Sequence, residues 1–580
     1  MSIPTTRRRA AFLNNSNNAS SAGSRGAQYE DTNDDRDGEF YTQHHHGDVV
    51  KPIFVGKIST FANRYTPPLI ARYINPTALV ILVAMLISHV TIGLAVYLYA
   101  KNGSFFCPVD LVEYINWSGS TALYQGALSF RSKGPYAYDS LVRIQPSSVP
   151  KKMEPVPESH RKTFYYDGDK ITQPIARAYR SRGWTQVDKP QQAQWIYTYN
   201  TNRPWGEKLK PWQRFNMLPF YQKWNTKDQF TYYYKQFQRA HPERAPSQYV
   251  PETFMLSETV EDIMEFQKKL ESGGYKYPWV LKAGSVNQGR GITMIAPSSK
   301  ELVELPKKAL YMLQKQADGG DAEEDEDWED MIVQSYVCNE MTWERRKFDV
   351  RMYWLVASLD PLIVLYHDGY VRIGNSDYSE EDFSNTRAHL TTHTFLGAEG
   401  KATFDQFEEM ITTYWESKNN RMGGTIGRSY PWPAKSPVEH VRNQFKDAIA
   451  EMIEVYQKEA FDIPDGQTIT AENAFSFYCA DFILDNDLDV WFIEPQNGCG
   501  LDEDYYFRLE MHGSLFNGMT DIMEEIWHKQ EQGLPVMPIQ NVGNWQILYG
   551  DGLIYRYEGY QRSHNKASCS ATAKKKRVKK

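Results

Sequence analysis

Cysteine is scarce in this chain. Its 580 residues carry five, Cys107, Cys338, Cys479, Cys499 and Cys569, with no C-x-x-C pair. That spacing argues against a zinc site and against a disulfide framework, and an odd count leaves at least one thiol free or intermolecular. A positive excess is also missing. The formal net charge is −7, so no global basic field directs the chain to nucleic acid. Its glycines form neither a Walker loop nor a Rossmann fingerprint, since no G-K-[ST] opens a helix. Aromatic residues, by contrast, are plentiful at 14%, with 15 Trp and 38 Tyr. A chain of this length and content has room for several domains and a large core, ordered over most of its length.

The N-terminal part reads as a membrane anchor. Residues 1–56 are polar and repetitive, and are expected to be a disordered cytosolic tail. A juxtamembrane segment, 57–77, leads into Ala78–Ala100, an almost unbroken apolar run. As a helix this run is about 34 Å long, enough to cross a bilayer. Lys57, Arg64 and Arg72 precede it closely, and only Lys101 follows closely. The positive-inside rule therefore predicts a single-pass type II protein with its bulk on the lumenal side, in the endoplasmic reticulum or Golgi, touching membrane lipid through one helix. Asn116-Trp117-Ser118 is a glycosylation sequon on that side. A stem over 101–160, a folded domain over 161–545 and a basic tail over 546–580 complete the expected organisation.

The stretch Phe475–Gly498, FSFYCADFILDNDLDVWFIEPQNG, carries the most chemistry. It predicts two apolar strands around the turn Asp485-Asn486-Asp487. A hairpin centred between Asp487 and Leu488 sets Asp481 opposite Glu494 on one face. Apolar flanks predict a sheet covered on both sides. Two facing carboxylates there need a cation between them. Mg²⁺ carrying a phosphate suits the pair, because it is commonly held by one or two carboxylates plus substrate phosphates.

Four upstream segments read as parts of one site. Tyr277–Ile295 runs from a strand ending at Lys282 through a loop with Gln288, Gly289 and Gly291, where backbone N–H groups and a lysine suit phosphate oxygens. Met331–Val337 is a short strand that can present Gln334 and backbone groups to an adenine edge. In Lys347–Ala357, alternation sets Lys347, Asp349 and Arg351 on one face and Phe348, Val350 and Met352 on the other. Three mixed charges on an apolar strand must pair or bind something. Finally, Arg372 follows a turn at Gly369, and His389, Thr391 and Thr392 lie just beyond it. A guanidinium there can clamp a carboxylate or phosphate.

In this order and spacing the segments resemble the tubulin–tyrosine ligase family of ATP-grasp enzymes. The likeness runs from about residue 160 to about 545, including GWTQV, QWIYTYN and RFNMLPFYQKWNTKDQF upstream. The resemblance implies an α/β ATP-grasp fold, with a nucleotide between two antiparallel-sheet domains and a smaller N-terminal α/β unit. It implies that Lys227 and Lys282 meet ATP, that Gln334, Ser335, Tyr336 and Val337 form the adenine hinge, and that Lys347, Asp349 and Thr391 contact the nucleotide. Arg351 and Arg372 would face substrate carboxylates, and Asp481 and Glu494 would hold one or two Mg²⁺. The family's last metal ligand is an Asn in E-x-N. Here Gln496 stands in that place, with Asn497 beside it, and Thr392 replaces another family Asn. The implied activity is ATP-dependent ligation of an amino acid (Glu, Tyr or Gly) to a protein acceptor through an acylphosphate. The acceptor would be a tubulin-like tail if the domain is cytosolic, and otherwise a lumenal protein. A catalytically impaired ATP-binding membrane scaffold and a small-molecule carboxylate–amine ligase remain alternatives.

Overall fold

The computed structural model describes residues 141–143 and 152–562, apart from 169–172, 199–208, 219–225, 244–246, 285, 287–288, 319–327, 329, 381, 392–395, 422–429, 460–470 and 472. After a short strand β1 (Leu141–Arg143) comes an α/β unit: β2 (Thr163–Asp167), α1 (Gln173–Ser181), β3 (Thr185–Gln186), β4 (Trp195–Thr198) and β5 (Arg214–Phe215). Its four strands pair in parallel in the order β3-β2-β4-β5. Helix α2 (Lys227–Ala240) follows.

A second unit comprises β6 (Thr253–Met255), α3 (Val260–Glu271), β7 (Trp279–Ala283), β8 (Ile292–Ile295), α4 (Lys300–Ala317) and β9 (Met331–Ser335). Its antiparallel sheet runs β6-β9-β7-β8. Phe254, Ile263, Phe266, Trp279, Leu302 and Val333 form a core of their own between this sheet and its helices. The Thr259 hydroxyl caps α3 by accepting from Asp262 N, and Ser299 caps α4 by accepting from Leu302 N.

The remaining strands build the largest sheet. They are β10 (Thr342–Trp343), β11 (Arg346–Leu359), β12 (Leu362–Asp377), then α5 (Thr386–His389), β13 (Leu396–Thr403), α6 (Phe404–Arg421), α7 (Pro437–Glu459), β14 (Ser476–Leu484), β15 (Val490–Gln496), α8 (Tyr506–Gln532), β16 (Gln546–Gly550) and β17 (Leu553–Tyr555). The main path is β1-β17-β16-β12-β11-β14-β15, with β10 on β11 and β13 on β12. Both faces are covered, because both sets of alternate side chains on β11 are apolar over part of its length. Phe348, Val350, Met352 and Trp354 join a core with Phe445, Ile449 and Ile453 of α7. Tyr353, Leu355 and Ala357 join another with Phe516, Met519 and Met523 of α8 and with Trp195 of the N-terminal unit. Strands β16 and β17 carry the sheet past residue 545, and Arg562 still lies against it, its Cζ 4.0 Å from the Trp491 ring centre.

Four expectations change. Among the described residues no helix is long and apolar enough to cross a membrane. That corrects the expected single-pass, lipid-anchored type II protein of the endoplasmic reticulum or Golgi, and the run at 78–100 that carried it lies outside the described residues. Cys479 and Cys499 form a disulfide with a Cα separation of 5.7 Å. Twenty residues apart in sequence, they meet because the hairpin pairs Cys479 with Gln496, three residues before Cys499. The expected turn at Gly369 is absent, since β12 runs through it. A side chain there would begin 1.8 Å from the Arg351 carbonyl oxygen, so glycine lets β12 pass close beside β11 at a bulge. Lastly, Asp481 does pair with Glu494, but Phe482 pairs with Phe492. The hairpin is centred half a residue earlier than its turn residues suggest, and a bulge at Ile493 restores the expected partner.

Candidate functional site

The second unit and the largest sheet face each other across a cavity of 610 Å³. Its walls gather Lys227, Lys282, Gly289, Gln334, Ser335, Tyr336, Val337, Lys347, Asp349, Arg351, Arg372, Thr391, Asp481, Glu494, Gln496 and Asn497. Gln288 and Thr392 lie outside the described residues. Gly291 is not part of the wall. Its φ is +65°, and a side chain there would begin 2.7 Å from the Ala283 Cβ, so it serves the close approach of the loop to β7.

One end of the cavity is apolar and flanked by lysines. Val280, Ile292 and Met294 line it from the small sheet, and Ile483 and Ile493 from the large one. Lys282 Nζ donates to Gln334 Oε1 at 2.6 Å, and Gln334 Nε2 donates to Thr253 Oγ1 at 2.9 Å. Burial draws the Lys282 ammonium down to about 8; Glu494 opposes this, while Lys227 and Lys347 reinforce it. Lys347 lies on the large sheet, bonded to Glu340 Oε1 and Oε2 at 2.5 and 2.6 Å. Tyr336, expected at the adenine hinge, is fixed by His389. The imidazole Nε2–H donates to Asp382 O at 2.9 Å, leaving Nδ1 to accept from the Tyr336 hydroxyl at 2.8 Å. Burial lowers the His389 pKa, which favours that neutral form.

The rest of the large-sheet wall carries interlocked charges. Because alternate residues of a strand share a face, two rows of cross-strand partners meet the cavity. Asp349, Arg372 and Lys401 follow one another across β11, β12 and β13. Tyr370, Arg351, Asp481 and Glu494 follow across β12, β11, β14 and β15. Arg351 holds Asp481 bidentately, with both contacts at 2.8 Å. Arg372 holds Asp349 at 2.7 and 2.8 Å, and its Nη2 also reaches Asp481 Oδ2 at 2.8 Å. Thr391 Oγ1 donates to Asp349 as well. Burial pushes the Asp481 carboxyl up, but the two guanidiniums hold it below its ordinary value. Asp349 goes the other way, raised by burial and the nearby Asp481 charge despite Arg372. Both arginines expected to face substrate carboxylates are thus already engaged with the chain's own carboxylates.

Between Asp481 and Glu494, the Gln496 amide takes the position expected of a cation. Its Nε2 donates to Asp481 Oδ2 at 3.1 Å and also to Glu494 Oε1, while its Oε1 accepts from Arg351 at 2.8 Å. Lys227 Nζ is 3.4 Å from Glu494 Oε2. Two carboxylates and an amide are the hard oxygen donors Mg²⁺ selects. Among the described residues no group of three or more His, Cys, Asp or Glu could hold a metal. An ion here would therefore draw its other ligands from phosphate and water, as Mg²⁺ commonly does. The donor set fits it.

Several wall residues were not anticipated from sequence: Glu340, Tyr370, Lys401, Gly500 and Asp502. Glu340 had a local signal, an acidic residue across the tight β10–β11 hairpin from Lys347. Lys401 and Asp502 had none, since they meet only through tertiary contacts.

Two comparisons place this geometry. The profile described as the tubulin-tyrosine ligase family matches residues 207–496, half of the chain. The chain belongs to the tubulin-tyrosine ligase family. It is similar to the human "Probable tubulin polyglutamylase TTLL2", 23% identical over 353 residues covering 59% of this chain and 52% of that protein. It is also similar to "Tubulin glycylase 3D" of Tetrahymena thermophila, at 22% over 47% of this chain and 23% of the relative. Mouse "Tubulin polyglutamylase TTLL5" is 23% identical over 55% of this chain and 22% of the relative. The chain thus spans about half the length of the first of these relatives and under a quarter of the other two.

Proposed function

We propose that the protein is an ATP-dependent carboxylate–amine ligase that joins an amino acid to a protein acceptor. The observation that carries this reading is the cavity itself, with an apolar slot and lysines at one end and the facing pair Asp481–Glu494 further along the same wall. In the ATP-grasp arrangement the adenine lies between the two sheets against Gln334–Val337. Lys282 and Lys227 meet the phosphates. Asp481, Glu494 and the Gln496 amide oxygen would hold Mg²⁺, which when bound offsets phosphate charge. Relatives named as tubulin polyglutamylases and a glycylase support a tubulin-like acceptor and glutamate or glycine as the amino acid.

In the reaction, an acceptor carboxylate oxygen attacks the γ-phosphorus and the bond to ADP breaks, giving an acylphosphate. The amine nitrogen then attacks the acyl carbon, phosphate leaves with the C–O electron pair, and the amine's protons pass to phosphate and solvent. No covalent bond to the protein forms. The chain's part is positioning and charge. Lys282 presents a buried cation to the transferring phosphoryl group. Arg351 and Arg372 hold Asp481 and Asp349 rigidly, so the carboxylate row keeps its geometry as charge moves.

The test is ADP release by the full chain with Mg-ATP, glutamate or glycine and tubulin peptides. Wild type should turn over and Asp481→Asn should not. If Mg-ATP binds and raises the melting temperature without any turnover, the protein is a nucleotide-binding scaffold. If Mg-ATP does not bind, the reading fails altogether.

A further inference from the structure

The wall beyond Arg351 and Arg372 has a charge pattern that ATP does not use. Lys401 of β13 is the cross-strand partner of Arg372, and its side chain is only 4% exposed. It donates to Asp502 Oδ2 at 2.8 Å and to Asp504 at 2.9 and 2.6 Å. Arg508 of α8, fully buried, donates to the same Asp502 Oδ2 at 2.9 Å. Both cations end on Oδ2, and Oδ1 turns toward Gly500. The point where a side chain on Gly500 would begin lies 3.5 Å from Asp502 Oδ1 and 3.8 Å from Arg351 Nη1. Gly500 has a φ of +57°, so glycine suits the backbone there and also leaves this gap open. Tyr370, with Arg508 4.7 Å from its ring centre, closes the wall nearby.

A gap with a guanidinium on one side and a carboxylate on the other matches a zwitterion. Phosphate is repelled by Asp502, and the lysines Lys227 and Lys282 attract it at the other end. An ion cluster whose work was purely structural has no need to face a cavity, yet the Asp502 side chain remains 32% exposed on the cavity wall. Burial opposes ionisation of Asp502, but hydrogen bonds with Asp504 and Lys401 and the Arg508 charge hold its pKa well below the usual range. It is therefore an anion throughout the working pH range.

We infer that Asp502, braced by Lys401 and Arg508, receives the ammonium group of the incoming free amino acid, whose carboxylate lies toward Arg351. This rests on the ligase reading above. Arg351 spans both places: Nη2 is on Asp481, while Nη1, beside the Gly500 gap, donates to Cys499 O at 3.0 Å and keeps a second N–H for a ligand. The subsite selects compounds with a free amine and disfavours their desamino analogues, which forgo the charge-assisted hydrogen bond to Asp502 Oδ1 and set an apolar group against it.

The experiment is calorimetric binding to the full chain loaded with Mg²⁺ and a non-hydrolysable ATP analogue. The probes are glutamate and its desamino analogue glutarate. Glutamate should bind, with glutarate weaker by about tenfold or more. Asp502→Asn should weaken glutamate by about as much and leave nucleotide affinity unchanged. Equal binding of glutamate and glutarate by wild type, or undiminished glutamate binding by D502N, overturns the subsite and leaves the ligase reading standing. Nucleotide binding with no response to glutamate or glycine, and no ADP release, overturns both. If D502N loses nucleotide binding through misfolding, the glutamate–glutarate comparison on wild type decides the matter without a variant.

Discussion

The two walls of the cavity hold buried charge in opposite ways. On the small-sheet wall Lys282 has a single neutral partner, Gln334, and among the described residues no carboxylate lies within ion-pair distance of it. On the large-sheet wall every guanidinium grips a carboxylate, and Asp481 is gripped by two. A buried cation without a counter-charge is destabilising until an anion arrives. An interlocked network is satisfied before anything binds. The first wall is thus built to gain from a ligand, and the second to keep its shape while a ligand changes.

Removing one member of the network gives the largest effect. Arg351→Met leaves a buried carboxylate short of its main partner and should cost about 3–5 kcal/mol of stability, read by urea unfolding. The double variant Arg351→Met with Asp481→Leu should recover much of that loss. A single variant as stable as wild type would break the contrast. Next comes Lys282→Met. It should lower Mg-ATP affinity by about 10- to 100-fold, the range for a charge-assisted hydrogen bond, with stability unchanged or raised. If K282M unfolds as readily as R351M, the two walls are alike after all.

The smallest effect is a pH dependence. The Lys282 pKa is lowered in the folded protein, to about 8 from an ordinary 10.5. Between those values the unfolded chain holds more protons. Stability contributed by this group therefore rises with pH across the window, and below it the folded state bears the full penalty of a buried ammonium. In denaturation curves from pH 7 to 10.5, wild type should gain stability relative to K282M, so that the gap present at pH 7 closes as pH rises. ATP affinity should move the opposite way, falling as pH passes about 8 and Lys282 loses its charge.

Much of the large-sheet wall was legible. Alternation in Lys347–Ala357 sorts Lys347, Asp349 and Arg351 from the apolar set, and the turn at Asp485–Asp487 brings Asp481 to Glu494. These are short-range rules, period two and hairpin closure. What escaped depends on longer range. The turn alone misplaces the hairpin centre, and a bulge at Ile493 corrects it. The ion pair of Arg351 with Asp481 escaped because 130 residues separate the two. The Cys479–Cys499 disulfide escaped because no C-x-x-C spacing announces a pair joined through a sheet register.

The sequence by itself determined which side chains share a face and which strand ends carry charge, because strand geometry needs only neighbours along the chain. Only the tertiary structure decided who partners whom. Asp349 meets Arg372, Asp481 takes two arginines, and Lys401 and Arg508 brace Asp502, because these contacts arise from strand pairings and a helix brought together across the fold. Charge pairing acts over a few ångströms in space and is indifferent to distance along the chain.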